Sequence, residues 1–221
     1  YPIFGFAHDI ATVAAITNAG GYGVYGATRR FPDEIREELA LIRSLVGDKP
    51  FGVDLVLPPG MPEHNSREAI EADISEEHKS FVAGLIEKYQ VPPASGPGMR
   101  TRFIRSSEIE EAQIQAVLES SVNMFACGIG APPEVLRRAK ALGKTTLALI
   151  GSPHHVQRAV AAGVDMLVAQ GYDAGAHTGP IGTYSLVPQI VDAAGEVPVL
   201  VAGGVATGRH VAAGLAMGAA G

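Results

Sequence analysis

The chain has 221 residues, of which 47% are apolar, a size that suits one large core and is short for two ordinary domains, so we predict a single domain over residues 1–221. Its net charge of -6 disfavours nucleic-acid partners, which usually need clustered Lys and Arg, and no apolar run approaches the roughly 18 residues of a membrane span. The single cysteine, Cys127, cannot form an internal disulfide, and this favours a cytoplasmic location.

Short apolar runs alternate with amphipathic stretches along the chain. The apolar runs predict buried parallel strands at residues 1–6, 23–25, 51–57, 122–127, 145–150, 166–169 and 197–202. The amphipathic stretches predict helices at residues 10–18, 33–46, 108–119, 133–142, 153–162, 185–194 and 209–217. Alternating strands and helices require a parallel sheet with right-handed crossovers.

The last four predicted strands follow one another closely, at intervals of roughly 20 to 30 residues, as in compact βα units. This spacing favours a TIM-type (β/α)8 barrel over an open doubly wound sheet. Seven strands would leave two unpaired edges beside an unfilled interior. We therefore expect the eighth strand beyond Gly221, outside the given chain.

Residues 58–121, after the third strand, are too many for one crossover and contain an insertion. A helix is predicted at residues 76–89, followed by a Pro- and Gly-rich loop at residues 92–100. Long loops often carry function. The inserted segment is either a lid over the strand ends or a surface excursion.

Active sites of such barrels lie at the carboxyl ends of the strands. The segment from Gln170 to Gly179, after the sixth strand, has three glycines and contains His177. Small residues let a flat ligand approach the backbone, and an imidazole suits proton abstraction or stabilisation of an anion. An isolated loop histidine more often only bonds the backbone, but this position favours His177 as the catalytic residue.

The segment after the seventh strand turns into a helix through Gly203 and Gly204. Free N–H groups in such a turn, together with the helix dipole, can hold a phosphate. The alternative is a tight βα turn that needs glycine only for its geometry. The pattern is not Gly-x-Gly-x-x-Gly, so no dinucleotide fingerprint is predicted.

Several other residues are weaker candidates. Asp54 lies inside an apolar strand, where a carboxylate needs a partner, and one interpretation is that it points from the barrel rim toward a ligand. Cys127 is more often a buried, inert thiol than a ligand contact. The pair His154-His155 indicates a solvated helix end rather than a metal site, and no metal is predicted. Arg29-Arg30 is typical of a solvated turn.

Together these residues resemble the nitronate monooxygenase family, formerly the 2-nitropropane dioxygenases, which are FMN-dependent barrels. The segments that carry the resemblance are residues 18–23, 49–54, 171–179, 197–199 and 203–204. The resemblance implies FMN-dependent oxidation of alkyl nitronates by oxygen to a carbonyl compound and nitrite. The expected partners are thus a small-molecule substrate and molecular oxygen, with no nucleic acid and no membrane.

The resemblance also implies roles for individual residues. His177 corresponds to the catalytic histidine, and the phosphate would be bound by Gly203 and Gly204. The residues expected to border the flavin ring are Gly5, Phe6, Ala7, Asp54, Gln170, Gly175 and Ala176.

The chain departs from the family pattern at three places. The position of Asp54 usually holds asparagine, and a fixed negative charge there would disfavour an anionic reduced flavin. The first strand has Phe4-Gly5-Phe6-Ala7 in place of the usual Gly-Gly-Met or Gly-Pro-Met turn. The eighth strand, which supplies a further phosphate-binding Gly-Thr pair, is not in the chain.

Two other functions fit the same residues. One is a flavin reductase that uses NADH or NADPH and acts on quinones or an enoyl thioester, because such enzymes share both glycine turns and often the histidine. The other is a binding protein that has kept the barrel and lost turnover, as the unusual Asp54 suggests.

Overall fold

The computed structural model describes residues 2–63, 66–96 and 104–221. Seven strands in this part of the chain form one parallel sheet, in which each strand pairs with the next one in sequence. The strands are β1 (Phe4–Ala7), β2 (Tyr22–Gly26), β3 (Gly52–Val56), β4 (Met124–Ile129), β5 (Thr145–Ile150), β6 (Met166–Gln170) and β7 (Val199–Ala202). This sequential parallel order is that of a TIM-type barrel.

Helices connect consecutive strands, as predicted. The described α-helices are α1 (Ile10–Asn18), α2 (Pro32–Val46), α3 (Arg67–Asp73), α4 (Glu76–Lys88), α5 (Ser107–Glu119), α6 (Pro133–Ala141), α7 (Val156–Ala161), α8 (Thr183–Ala194) and α9 (Gly208–Ala216). A short 3-10 helix at Pro153–His155 precedes α7. The sequence did not predict α3, which buries no residue and so has no apolar period to detect. Its start is capped by Ser66, whose hydroxyl accepts the N–H of Ala69 at 3.1 Å.

Side chains alternate between the two faces of the sheet. The outer face packs under the helices, and Val53, Leu55 and Cys127 belong to this core. The inner face carries a smaller cluster made of Val24, Met124, Ala126, Leu147 and Leu200. Asp54 and Gly128 therefore belong to the inner face, because each alternates with residues of the outer core.

The last residues of the chain continue the sheet beside β7. The N–H of Ala220 donates to the carbonyl of Val199 at 2.7 Å, and the N–H of Val201 donates to the carbonyl of Gly221 at 2.9 Å. A Cβ added to Gly221 would lie 2.6 Å from the carbonyl oxygen of Pro2. These residues thus occupy the place between β7 and β1 that the expected eighth strand would take.

The chain divides into two compact units. The first, residues 1–59 and 113–221, contains the whole sheet. The second, residues 60–112, contains α3, α4 and the start of α5, and Arg105 pairs there with Glu110 at 3.0 Å. It nearly coincides with the predicted insertion, whose loop at residues 92–100 lies partly outside the described residues. No helix in the described ranges is long and apolar enough to cross a bilayer.

Candidate active site

The loop after β6 carries His177 at the carboxyl edge of the sheet. The side-chain amide of Gln170, the last residue of β6, donates to the carbonyl of His177 at 3.0 Å. A Cβ on Gly179 would overlap the carbonyl of Gly151, so the loop after β6 packs backbone to backbone on the loop after β5. His177 lines a cavity of about 240 Å³ together with Gly128 and Gln170.

The turn after β7 can only be built from glycine. Gly203 and Gly204 have φ angles of 100° and 73°, which L side chains rarely adopt. A Cβ on Gly203 would also lie 2.6 Å from the hydroxyl of Thr183 and 2.8 Å from the carbonyl of Gly171. The turn is therefore fixed both by its conformation and by its neighbours.

Backbone N–H groups that can donate hydrogen bonds lie where this turn leads into α9. Within the described ranges, the backbone N–H groups of Gly204, Val205 and Gly208 hydrogen bond to no other group. His210, in the first turns of α9, accepts the N–H of Ala206 on Nδ1 at 3.1 Å and so holds the loop against the helix. Free N–H groups at the start of a helix make a site that suits an anion.

The two glycine segments share one large cavity. Its volume is about 630 Å³, within the range typical of cofactor pockets. Its wall includes Asp173, Ala174 and Gly175 from the loop after β6, and residues 203–208 from the turn after β7. The loop after β6 thus borders both cavities, with Gly175 on one side and His177 on the other. Between them, Ala176 has a φ of 65°.

Strand β1 presents Phe6 to the interior. Gly5 faces α1, since a Cβ there would lie 2.5 Å from Ile16, and Ala7 packs against the outer core. The ring of Phe6 meets the imidazole of His8 edge to face, with the ring centroids 5.0 Å apart. Of the three residues predicted on this strand, Phe6 is the one whose side chain lies on the inner face.

Asp54 is buried on the inner face, with 9% of its surface exposed. It pairs in register with Gly26 of β2, and a Cβ on Gly128 of β4 would lie 3.0 Å from each of its carboxyl oxygens. Gly128 therefore leaves room for the carboxyl group, whereas the space over Gly26 is filled by the rings of His8 and Phe6. Burial raises the pKa of Asp54 to about 7, although the N–H of Gly128 opposes this by donating to the carboxylate.

Of the remaining candidates, Cys127 and Arg30 lie apart from this centre, whereas His155 borders it. Cys127 is buried in the outer core, and burial raises the pKa of its thiol to about 12, so it is the inert thiol that was expected. Arg30 pairs with Glu38 at 2.9 Å on the outer side of β2. His155 lines the cavity of His177 and a neighbouring cavity of about 220 Å³. The described residues contain no group of three or more potential metal ligands.

Residues 3–221 match the family described as nitronate monooxygenase. The chain belongs to the nitronate monooxygenase family. It is 38% identical over 234 residues to a protein of Mycobacterium tuberculosis named as a monooxygenase, with 100% of the chain and 61% of that protein covered. It is 31% identical over 231 residues to a protein of Staphylococcus saprophyticus named as a nitronate monooxygenase, with 95% of the chain and 58% of that protein covered.

Solved structures agree with this family assignment. The nitroalkane oxidase of Streptomyces ansochromogenes aligns with a TM-score of 0.75 and 27% identity, over 99% of the chain and 61% of the oxidase. FabK of Thermotoga maritima aligns with a TM-score of 0.71 and 25% identity, over 99% of the chain and 56% of FabK. The predicted resemblance and the predicted barrel fold are confirmed. The chain spans about three fifths of the length of the curated relatives it matches.

In this nitronate monooxygenase family member, the sequence reasoning missed the residue that joins the two glycine segments. The hydroxyl of Thr183 donates to the carbonyl of Gly203 at 2.9 Å, and its N–H donates to the carboxylate of Asp173 at 2.8 Å. Hydrogen bonds from Thr183 lower the pKa of Asp173, and the bond from its backbone N–H contributes most. The one available signal was that Thr183 begins α8 directly after the His177 loop.

Proposed function

We propose that the chain forms the flavin-binding barrel of an oxidoreductase that converts alkyl nitronates to a carbonyl compound and nitrite with molecular oxygen. The observation that supports this most directly is the course of the loop after β6, which borders the cavity of the glycine turn with Gly175 and the cavity of the imidazole with His177. A ligand with a phosphate at one end and a reactive ring at the other could span both.

FMN fits the residues present. Its phosphate would be held by Gly203 and Gly204 and by the free N–H groups at the start of α9, where a side chain would fill the space. Gly175 has nothing within 4 Å of an added Cβ, so a planar ring can approach the backbone there. Gln170, Asp54 and Phe6 would border the ring from the inner face. When bound, the flavin supplies the electron acceptor for the nitronate.

His177 would act on the proton that a neutral nitroalkane loses. Its imidazole can remove the proton from the carbon of a neutral nitroalkane, or stabilise the nitronate when the anion is supplied directly. Gln170 fixes the loop by its bond to the backbone carbonyl of His177, a contact that does not involve the imidazole ring. Proton transfer by a positioned base contributes about 10² to 10⁴ in rate, so removal of the imidazole is expected to cost that much with a neutral nitroalkane.

The test compares two variants in the full-length, FMN-loaded protein. Asn replaces His177 in one, and Asn replaces His78, on the second compact unit, in the control. Under anaerobic conditions a nitronate should bleach the wild-type flavin. The His177→Asn variant should lose at least about 100-fold with a neutral nitroalkane and less with the preformed nitronate. Unchanged turnover of His177→Asn on every substrate would contradict the catalytic role of His177, and a wild type without turnover on any substrate would favour a binding protein.

The second candidate is a reductase driven by NADH or NADPH that acts on quinones or an enoyl thioester. The structural likeness to FabK links the chain to this alternative. The two reactions differ in the electron donor, so the same anaerobic experiment separates them. Rapid bleaching by a nicotinamide donor, with none by nitronate, would overturn the monooxygenase proposal.

A further inference from the structure

Asp54 is a buried acid on the inner face of the sheet. In the part of the chain that the structure describes, no basic side chain contacts its carboxyl group, and the contact that favours ionisation is the N–H of Gly128. A carboxylate so enclosed is unfavourable unless it is paired, because it has lost its hydration. The neutral acid is therefore the form that this environment stabilises, and a neutral acid can donate a hydrogen bond.

The carboxyl group is directed toward the site. Both oxygens lie against Gly128, and Gly128 lines the cavity that also contains His177 and Gln170. On the other side of Asp54, Gly26 of β2 has no side chain, and the space that its Cβ would take is filled by the rings of His8 and Phe6. Only Gly128, which has no side chain, thus lies between the carboxyl group of Asp54 and the cavity of His177.

Four titratable side chains lie near Asp54, and in the described residues none of them pairs with its carboxyl group. From the segment after β1, His8 lies over Gly26 and its Nδ1 donates to the carbonyl of Gly26 at 2.9 Å. From β4, Cys127 points to the outer core as a neutral thiol, its pKa being raised to about 12. From the segments after β5 and β6, His155 and His177 line the cavity beside Gly128.

We propose that Asp54 is an electrostatic residue of this site, which takes up a proton when negative charge forms in the cavity and, as the resulting neutral acid, donates a hydrogen bond. The inference rests on the proposed function, because the negative charge would be that of the bound nitronate and of the flavin that accepts its electrons. The step at this residue is the transfer of one proton from solvent to the Asp54 carboxylate, which becomes the neutral acid.

This protonation step matters because Asp54 titrates close to neutral pH. Because burial raises the pKa of Asp54 to about 7, the group is partly ionised in the resting site at neutral pH. Adjacent negative charge raises the pKa of an acid further, so the charge on a reduced flavin would favour the protonated form of Asp54. The sequence suggested that Asp54 carries a fixed negative charge. In this proposal, protonation removes that charge when other negative charge forms beside it.

The experiment measures the flavin midpoint potential against pH in the full-length, FMN-loaded protein. Each proton coupled to a two-electron couple adds about 30 mV per pH unit to the slope. Above neutral pH the wild type should take up one proton more than Asp54→Asn, so its slope should be steeper by that amount. Asp192→Asn, an exposed substitution on α8, is the control and should match the wild type.

A second readout is independent of flavin. In the flavin-free protein, infrared spectroscopy should show a protonated carboxyl band that titrates near neutral pH, is absent in Asp54→Asn and is retained in Asp192→Asn. Identical slopes in wild type and Asp54→Asn, or no such band, would overturn this inference while leaving the proposed function intact. A protein that binds no flavin would overturn the proposed function, and the coupling inference with it.

Discussion

Replacing Asp54 with asparagine should change how the stability of the fold depends on pH. Burial raises the pKa of Asp54 from 3.8 to about 7. The folded state therefore binds this proton more tightly than the unfolded state, and the free energy of unfolding falls as pH rises between those two values. The cost is absent below about pH 3.8 and complete above about pH 7.

The magnitude follows from the linkage relation. Each pKa unit corresponds to about 1.4 kcal/mol, so ionised Asp54 costs the wild type about 4 kcal/mol at alkaline pH. The asparagine side chain has a similar shape and can still accept the N–H of Gly128, but it does not ionise.

Asp54→Asn should thus gain stability relative to the wild type by up to about 4 kcal/mol between pH 4.5 and pH 8. Urea unfolding of the flavin-free protein, followed by circular dichroism at several pH values, measures this difference. Asp192→Asn provides the comparison for removal of an exposed carboxyl group. Parallel stability curves for wild type and Asp54→Asn would refute the argument, because they would mean that Asp54 titrates alike in the folded and unfolded states.

Three further predictions concern the glycine turn and the thiol. Gly203→Ala should weaken FMN binding at least tenfold and should destabilise the fold by about 1 to 3 kcal/mol more than the control Gly195→Ala. Gly195 also has a positive φ, but the space around its added Cβ is open. Equal unfolding midpoints for the two variants would exclude the close contact at Gly203 as the cause. Thr183→Val removes the hydroxyl bond to the turn and should cost about 1 to 2 kcal/mol and several-fold in FMN affinity, whereas Thr183→Ser should retain both in titrations by flavin fluorescence. Cys127 should resist a thiol reagent in the folded protein and react fully in urea, and rapid labelling of the native state would contradict its burial.

The sequence predicted the sheet well because its strands are buried on both faces. Strand β5 was predicted with the bounds that it has, Thr145–Ile150, because its apolar run ends sharply at both sides. The bounds of α1 were likewise correct, with Asp9 as its cap accepting the N–H of Thr12. By contrast, α3 was missed because it lies on the surface of the second unit and has no apolar face to detect.

The site was predicted less completely, since its contacts join distant parts of the chain. The strand-end rule located His177, Gly203 and Gly204 without tertiary information. It could not show that Thr183 binds the Gly203 turn, because that bond depends on how α8 returns to the sheet. Nor could it show that Asp54 leans toward Gly128, since the sequence gives the strand but not its neighbours.

The two sides of the site are constrained to different degrees, and this bears on which reaction the chain supports. The glycine turn is fixed by positive φ angles and by close contacts with Thr183, so its backbone has little freedom to rearrange. A flavin phosphate held there, as proposed, would be bound in the same way whether the electrons come from a nitronate or from a nicotinamide. The turn therefore cannot distinguish the two reactions. We expect the distinction to come from the cavity of His177, because Asp54, which lies against its lining residue Gly128, would lose its charge beside an anionic substrate under the proposed function.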